Sequence, residues 1–123
     1  MNKTASKAYF QAQKSAVSPR VAEAIAFTQA AVKLDQAKLL THDYEAFSDA
    51  VKSNQKLWTV VQADILEINN QLNRNLQQKL LDLSMFVDEY SLKALAHSRA
   101  EYLDPLIEIN KNIANGLRSR ADP

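Results

Sequence analysis

The apolar residues in the middle of the chain follow a helical period over almost seven turns. Between residues 44 and 68 they recur at intervals of 3, 4, 3, 4, 3, 4 and 3, which places them along one face of an amphipathic helix. This face comprises Tyr44, Phe47, Val51, Asn54, Trp58, Val61, Ile65 and Ile68. Asn54 is its one polar member, so the pattern predicts a long helix whose apolar stripe contains a single amide.

Three other segments carry shorter stripes with the same spacing. A helix from the "SPR" at residue 18 to about residue 40 is predicted to use Val21, Ile25, Thr28, Val32 and Leu39. A third helix, ending between residues 97 and 100, uses Leu76, Leu80, Leu83, Val87, Tyr90 and Ala94. The last helix uses Leu103, Leu106, Asn110, Ile113 and Leu117, with Ile107 and Ile109 alongside. The sequence therefore predicts four amphipathic helices.

Polar residues and glycine mark the predicted helix ends. Ser18, Thr41 and Asp104 precede helical patterns, and their side-chain oxygens can accept hydrogen bonds from free backbone N–H groups. The asparagine-rich stretch 69–75 is the predicted turn between the second and third helices. Gly116 is predicted to end the last helix in a left-handed conformation.

The composition supports one all-α domain, a small helical bundle of about four main helices. Gly116 is the only glycine, whereas sheet proteins and phosphate-binding loops need several. We assign residues 18–118 to the bundle, 1–17 to an N-terminal arm or a short extra helix at 5–16, and 119–123 to a tail. The absence of cysteine excludes disulfides, and no apolar stretch approaches the ~20 residues that span a bilayer.

A search for catalytic or metal chemistry finds no candidate site. The two histidines, His42 and His97, lie far apart in sequence, and neither belongs to a metal-ligand motif. No nucleophile motif or glycine-rich loop occurs. We therefore predict that the protein is not an enzyme and has no catalytic residues, no cofactor and no metal.

Nucleic-acid binding is an alternative that the sequence leaves open. The first twenty residues contain four basic residues and no acidic one, and Tyr9 and Phe10 lie among them as in single-strand binders. Lys111, Arg118 and Arg120 add positive charge near the other end. The net charge of +1 disfavours this reading because phosphate binding needs a concentrated basic surface.

Trp58 and the two stripe asparagines each have two interpretations. Trp58 is most simply a core residue, although tryptophan is also common as an anchor at protein interfaces. Asn54 and Asn110 occupy positions where apolar residues are expected. A buried asparagine destabilises a core unless it is paired, so the two amides either bond each other inside the bundle or bind the backbone of a partner.

Four segments, in order, resemble a known family. "NQKLWTVVQADI" and "LIEINKNIANGLR" are similar to two motifs of the FlaF family of flagellar biosynthesis regulators. "LLDLSMFVDEYS" resembles the family's L-x-x-L-S-x-FV stretch, and "AYFQAQKSAVSPR" resembles its start. The loop "NNQLNRN" departs from the pattern because homologues often have a proline-containing turn there.

The resemblance implies a non-catalytic cytoplasmic protein that is required for flagellin production. Its implied partner is flagellin, with FlbT as an opposing regulator, and its implied role is that of a flagellin-specific secretion chaperone. An RNA-binding or adaptor-type regulator of flagellin translation is the alternative. No membrane partner is expected.

An amphipathic flagellin segment would need an apolar groove on the bundle. We predict that groove at the seam between the second and the last helix. The predicted partner-binding residues are Leu57, Trp58, Val61, Ile65, Ile107, Asn110, Ile113 and Leu117.

Overall fold

A computed structural model describes residues 19–65 and 74–121 of the chain. It contains four helices, α1 (Pro19–Ala37), α2 (Tyr44–Ile65), α3 (Arg74–His97) and α4 (Asp104–Ala121), with a short 3₁₀ helix (Ala100–Tyr102) before α4. These ranges contain no strand. The predicted all-α class is therefore confirmed.

Helices α1 and α4 are antiparallel and form the most extensive helix pair. The Lys38 Nζ lies 2.6 Å from an Asp104 carboxylate oxygen, just beyond the end of α1 and at the start of α4. Toward the other end of the pair, Arg118 Nη2 donates a 2.8 Å hydrogen bond to Thr28 Oγ1. The two contacts therefore fix the direction and the register of the pair.

The ion pair between Lys38 and Asp104 persists at neutral pH. The hydrogen bond to Asp104, followed by the charge of its carboxylate, raises the pKa of Lys38 above its ordinary value. A lysine with a raised pKa contributes fully below the pKa of the unfolded state, and the contribution is lost as the pH rises through the folded-state value. Deprotonation of Lys38 therefore weakens the contact only in alkaline solution.

Helices α2 and α3 form a second antiparallel pair that is tied at one end. The Tyr44 hydroxyl donates to the Leu95 carbonyl (3.0 Å), and the Ser98 hydroxyl donates to the Thr41 carbonyl (2.8 Å). Ser98 has a φ of 50°, a left-handed conformation that ends α3 immediately after His97. These bonds join the end of α3 to the start of α2.

The core lies between the four helices and draws on each of them. Most of its fully buried large side chains belong to α2 or lie just before or at the start of α4. They are Trp58, Phe47, Val51, Leu34, Leu103, Leu106 and, from α3, Val87. The predicted stripes of α2, α3 and α4 thus face the interior at Phe47, Val51, Trp58, Val87 and Leu106.

The predicted face of α1 is wrong. The buried face instead comprises Ala24, Phe27, Ala31, Leu34 and Ala37, whereas Val32 is 52% exposed. The helix also ends at Ala37 and not near residue 40, which leaves Leu39 81% exposed. Apolar residues lie on several sides of this helix, so spacing alone does not select the face that packs.

Two predicted helix ends are also corrected. Asp43, and not Thr41, caps α2, because its side-chain oxygen accepts a 3.2 Å hydrogen bond from the Ala46 N–H. Gly116 does not end α4: its φ is not positive, and the helix continues to Ala121, into the predicted tail. The predicted helix at 5–16, the Ser18 cap, Ile68 and residues 69–73 of the predicted turn lie outside the described residues.

Candidate functional site

The predicted partner seam between α2 and α4 lies across the interior of the bundle. Trp58 is 1% exposed, and Ile107 and Asn110 are also buried. Leu57, Val61, Ile113 and Leu117 are half-buried against the core, and the side chain of Ile65 lies outside the described residues. Trp58 therefore packs in the core, as its simpler interpretation predicted.

Three polar side chains form a relay inside this seam. The Trp58 indole Nε1–H donates to Asn110 Oδ1 at 3.0 Å, and Asn110 Nδ2 donates to Asn54 Oδ1 at 2.7 Å. An indole nitrogen can only donate, so the Asn110 oxygen must face it and the Asn110 amide nitrogen must face Asn54. The tryptophan thus fixes the orientation of both amides and links α2 to α4.

The relay leaves one end without a partner. Within the described residues, Asn54 Nδ2 and the Ser91 hydroxyl are buried polar groups that have no hydrogen-bond partner. Each such group raises the free energy of the folded state because it has lost its hydrogen bonds to water. This part of the core, between α2 and α3, is therefore less completely satisfied than the side where Trp58 and Asn110 are bonded.

An aromatic contact holds Trp58 from the α1 side. The Phe27 ring meets it edge to face, with the ring centroids 5.6 Å apart and the planes at 73°. This geometry is favourable because the positive edge of one ring points at the negative face of the other. Phe27 was missed by the sequence prediction, although Ala24, Phe27, Ala31 and Leu34 follow each other at helical spacings of 3, 4 and 3.

Half-buried apolar residues lie on both sides of the seam between α3 and α4. Within the described residues, the pairs α1–α4, α1–α2 and α2–α3 pack extensively, whereas α3 and α4 make few contacts. The half-closed seam between them is called the α3–α4 furrow here. Its residues are Leu83, Phe86 and Tyr90 on α3 and Ile109, Ile113 and Leu117 on α4.

The placement of the α3 residues follows from the helix faces. Tyr90 lies toward α4, because its ring faces Tyr102 in the connection between the two helices, with the centroids 6.4 Å apart. Leu83 lies two turns earlier on the same side of α3. Phe86 stacks on Tyr90 with a centroid distance of 4.5 Å, so these three side chains form one apolar surface.

The faces of α4 likewise determine which of its residues border the furrow. Asp104 and Arg118 turn one flank of α4 toward α1. Ile109, Ile113 and Leu117 recur at intervals of four residues along the other flank, and all three are half-buried against the core. The furrow therefore contains Ile113 and Leu117 of the predicted site, while Trp58 and Asn110 lie beneath it.

The described residues contain no group of three or more histidine, aspartate or glutamate side chains that could hold a metal ion. Among the described helices, none is long and apolar enough to cross a membrane. What this part of the molecule offers chemically is an apolar surface over a hydrogen-bonded core.

A family model described as "Flagellar protein FlaF" matches residues 5–117. The chain belongs to the FlaF family. It is therefore a flagellar protein, and the resemblance carried by its four motifs is confirmed. The match spans both Trp58 and Asn110, so the relay and the furrow lie within the family unit, as do residues 5–16. Comparison with curated proteins and with solved structures gives no match for this chain.

Proposed function

We propose that this FlaF-family protein is a non-enzymatic, cytoplasmic flagellin chaperone. It binds an amphipathic helical segment of flagellin in the α3–α4 furrow and couples flagellin synthesis to export, with FlbT as a second partner. Two observations support this proposal: the family membership of the chain and the presence of a half-closed apolar furrow beside its last helix.

The furrow suits a helix better than an extended peptide. Its α4 side presents apolar residues once per turn, at 109, 113 and 117. A partner helix with apolar residues at i, i+3, i+4 and i+7 can pack between these side chains and the surface formed by Leu83, Phe86 and Tyr90. Burial of apolar area releases about 25 cal/mol per Å², so the contact draws mainly on the hydrophobic effect.

The single observation that carries the proposal is the position of Ile113 and Leu117. Both are half-buried, on a helix held from the opposite side by the Lys38–Asp104 ion pair and the Arg118–Thr28 hydrogen bond. A helix fixed in this way loses little further entropy when a partner binds. The α4 side of the furrow is therefore preorganised for binding.

A pull-down with full-length flagellin and with flagellin truncated at either end tests this function. We expect the Leu117→Gln variant to lose capture by about tenfold or more, equivalent to about 1.4 kcal/mol, and to remain helical. Val60→Gln is the matched control, because Val60 is an apolar residue of α2 that is 67% exposed. Equal capture by both variants would exclude the furrow, and no capture by the unmodified chain would exclude the function.

Salt dependence separates this function from the RNA-binding alternative. Apolar contacts withstand moderate salt, whereas RNA affinity falls steeply between about 50 and about 200 mM salt because binding releases counterions. Parallel titrations with flagellin and with flagellin messenger RNA provide the measurement. A salt-sensitive complex with RNA, together with absent flagellin capture, would replace the chaperone proposal.

A further inference from the structure

A small apolar surface lies at the end of the bundle where α1 leads into α2, and neither the relay nor the furrow includes it. Its residues are Leu39, Leu40 and Tyr44, and it is called the leucine corner here. We propose that the leucine corner docks a segment of another protein whose apolar side chains are flanked by lysine or arginine. Docking at this corner requires neither flagellin nor the furrow.

Exposed apolar side chains are concentrated at the leucine corner. Leu39 is 81% exposed, Tyr44 is 50% exposed and Leu40 is 37% exposed. Eight large apolar side chains are exposed within the described residues, and these three fall within the six positions 39–44. Leu92, also exposed, lies one turn before Leu95, whose carbonyl accepts the hydrogen bond from Tyr44. Single exposed apolar residues are ordinary on protein surfaces, whereas a group of them indicates an interaction site.

The leucine corner is held in one conformation by hydrogen bonds. The Leu40 N–H donates to the Ala37 carbonyl at 2.9 Å, and the Asp43 N–H donates to the Leu40 carbonyl at 3.0 Å. Between them, the Thr41 carbonyl accepts the 2.8 Å hydrogen bond from the Ser98 hydroxyl at the end of α3. A surface that is already ordered loses less conformational entropy on binding. The two leucines are therefore preorganised for a partner.

The surroundings of the leucine corner are acidic. Residues 35–45 and 98–104, which meet at this end of the bundle, contain five carboxylates and two cations. Both cations are paired, Lys38 with Asp104 at 2.6 Å and Arg99 with Glu101 at 3.2 Å. The excess of negative charge contrasts with the net charge of +1 for the whole chain. The carboxylates in excess are Asp35, Asp43 and Glu45.

This charge selects the occupant of the leucine corner. Asp35, Asp43 and Glu45 are all exposed, and Asp35 precedes Leu39 by four residues. A lysine or arginine of the partner can therefore pair with a carboxylate while a neighbouring apolar side chain covers Leu39. The same carboxylates repel RNA and anionic lipid surfaces. The occupant is therefore a basic apolar segment of a protein.

The leucine corner is separate from the part of the furrow that is assigned to flagellin. The Lys38–Asp104 contact places the corner at the start of α4. Ile113 and Leu117 follow Asp104 by nine and thirteen residues, which corresponds to about 13 and about 20 Å along the helix axis. A partner can thus occupy the corner while the furrow is filled.

Two fluorescently labelled model peptides test the docking on the full chain. One peptide contains leucine and lysine in an amphipathic helical pattern, and the other has glutamate in place of each lysine. Fluorescence anisotropy is expected to show that the lysine peptide binds at least about tenfold more tightly, equivalent to about 1.4 kcal/mol. Moderate salt should narrow the difference because it screens exposed charges. Equal affinities for the two peptides would overturn the proposal.

Substitutions of exposed leucines locate the binding. Leu39→Gln is expected to weaken binding of the lysine peptide at least about tenfold, and Val60→Gln is the matched control because Val60 is also exposed. Both variants should melt like the unmodified chain, since exposed side chains contribute little to stability. Leu117→Gln in the furrow should leave the peptide affinity unchanged. Equal binding by Leu39→Gln and Val60→Gln would overturn the proposal, and so would a loss confined to Leu117→Gln.

A second pair of variants tests the charge. Glu45→Gln is expected to weaken binding of the lysine peptide by about twofold, the scale of one exposed ion pair, and to reduce its salt dependence. Asp82→Asn removes an exposed carboxylate of α3 that lies outside the corner and should change neither. The same salt dependence in both variants would contradict the charge complementarity on which the choice of occupant rests.

Flagellin capture and self-association provide the remaining outcomes. Leu39→Gln should capture flagellin as the unmodified chain does. Binding of the lysine peptide without any flagellin capture would support the corner and overturn the proposed function. Light scattering shows whether the chain self-associates; a dimer that Leu39→Gln dissociates would overturn the proposal, because the corner would then join two copies of this chain.

Discussion

The α1–α4 pair and helix α3 contribute to the core in contrasting ways. The pair buries bulky side chains, including Phe27, Leu34, Leu106 and Ile107, and it has polar contacts near both ends. Helix α3 buries only Ser84, Val87, Ser91 and Ala94 within the described residues. Since hydrophobic stabilisation scales with the apolar area that is buried, α3 is the more weakly held of the two.

This difference bears on the furrow, because its two walls come from the two regions. The α4 wall belongs to the strongly packed pair, and the α3 wall belongs to a helix whose fully buried side chains are small. A movement of α3 away from α4 thus widens the furrow at a lower free-energy cost than a movement of α4 away from α1. The α3 wall is therefore the one that we expect to move more readily.

The largest effect is expected for Trp58, which contacts both helices of the α1–α4 pair through Phe27 and Asn110. Trp58→Ala removes a buried ring and leaves Asn110 Oδ1 unpaired, so we expect a loss of about 3–5 kcal/mol in the free energy of unfolding. Urea denaturation followed by circular dichroism measures it. Unchanged stability together with lost flagellin capture would instead make Trp58 a partner anchor.

A pair of truncations compares the two regions directly. Leu34→Ala on α1 is expected to cost about 2–5 kcal/mol. Val87→Ala on α3 removes fewer carbon atoms from an equally buried site and should cost about 2 kcal/mol. Chemical denaturation of both variants provides the comparison, and a larger loss for Val87→Ala would reverse the ranking of the two regions.

The relay predicts an intermediate effect. Trp58→Phe keeps an aromatic ring against Phe27 and removes the N–H that Asn110 accepts, so a buried oxygen loses its donor. We expect the unpaired oxygen to lower the free energy of unfolding by about 1–3 kcal/mol. The change in packing around the smaller ring should lower it by a smaller amount. A double-mutant cycle with Asn110→Ala isolates the bond; a coupling energy of zero would show that the relay contributes nothing to stability.

Two buried serines on α3 allow a comparison between a hydrogen-bonded and an unpaired hydroxyl in the same helix. The Ser84 hydroxyl donates to the Leu81 carbonyl at 2.9 Å, whereas the Ser91 hydroxyl has no partner among the described residues. Ser91→Ala should stabilise the protein by up to about 1 kcal/mol, because it removes an unsatisfied polar group. Ser84→Ala should be neutral or slightly destabilising. Thermal melts of the two variants that shift in the same direction would contradict this expectation.

The smallest effect is expected for Gly116. Gly116→Ala should raise the free energy of unfolding by about 0.5–1 kcal/mol, because alanine is the better helix former and the added methyl group meets nothing within 4 Å. Asn115→Ala, on the neighbouring exposed position, is the control for helix propensity alone. A destabilised Gly116→Ala variant would indicate that another part of the chain packs against this backbone.

The predicted stripes of α2 and α4 lie mostly on buried faces, although Tyr44 is 50% exposed. The α3 stripe meets the buried face at Val87 and Ala94 but does not include the buried Ser84 and Ser91, and the α1 stripe is wrong. The reason lies in the residues themselves. On α2, apolar side chains occupy one side and charged ones the other, so the face that contains Phe47 and Trp58 is unambiguous. On α1, alanine and valine are spread around the helix. The choice of Phe27 over Val32 then depends on what lies opposite, which is the Trp58 ring.

The candidate site was only partly predictable for the same reason. The stripe positions of Trp58, Asn54 and Asn110 placed all three in or near the core, and the pairing of the two amides was one of two readings. The partner seam was assigned to α2 and α4, where the structure buries Trp58 and Asn110, and the helices with few contacts between them are α3 and α4. Which seam stays open depends on which helices pack closely, and the spacing within a single helix does not contain that information.

By itself, the sequence determined the helical class, the family and most of the residues that α2 and α4 turn inward, because periodicity and motifs are properties of consecutive residues. Only the tertiary structure decided which face of α1 is buried, how Trp58 orients the two amides, and where apolar surface remains accessible. Those features depend on side chains from distant parts of the chain that must fit and bond one another, so they arise only once the helices have packed.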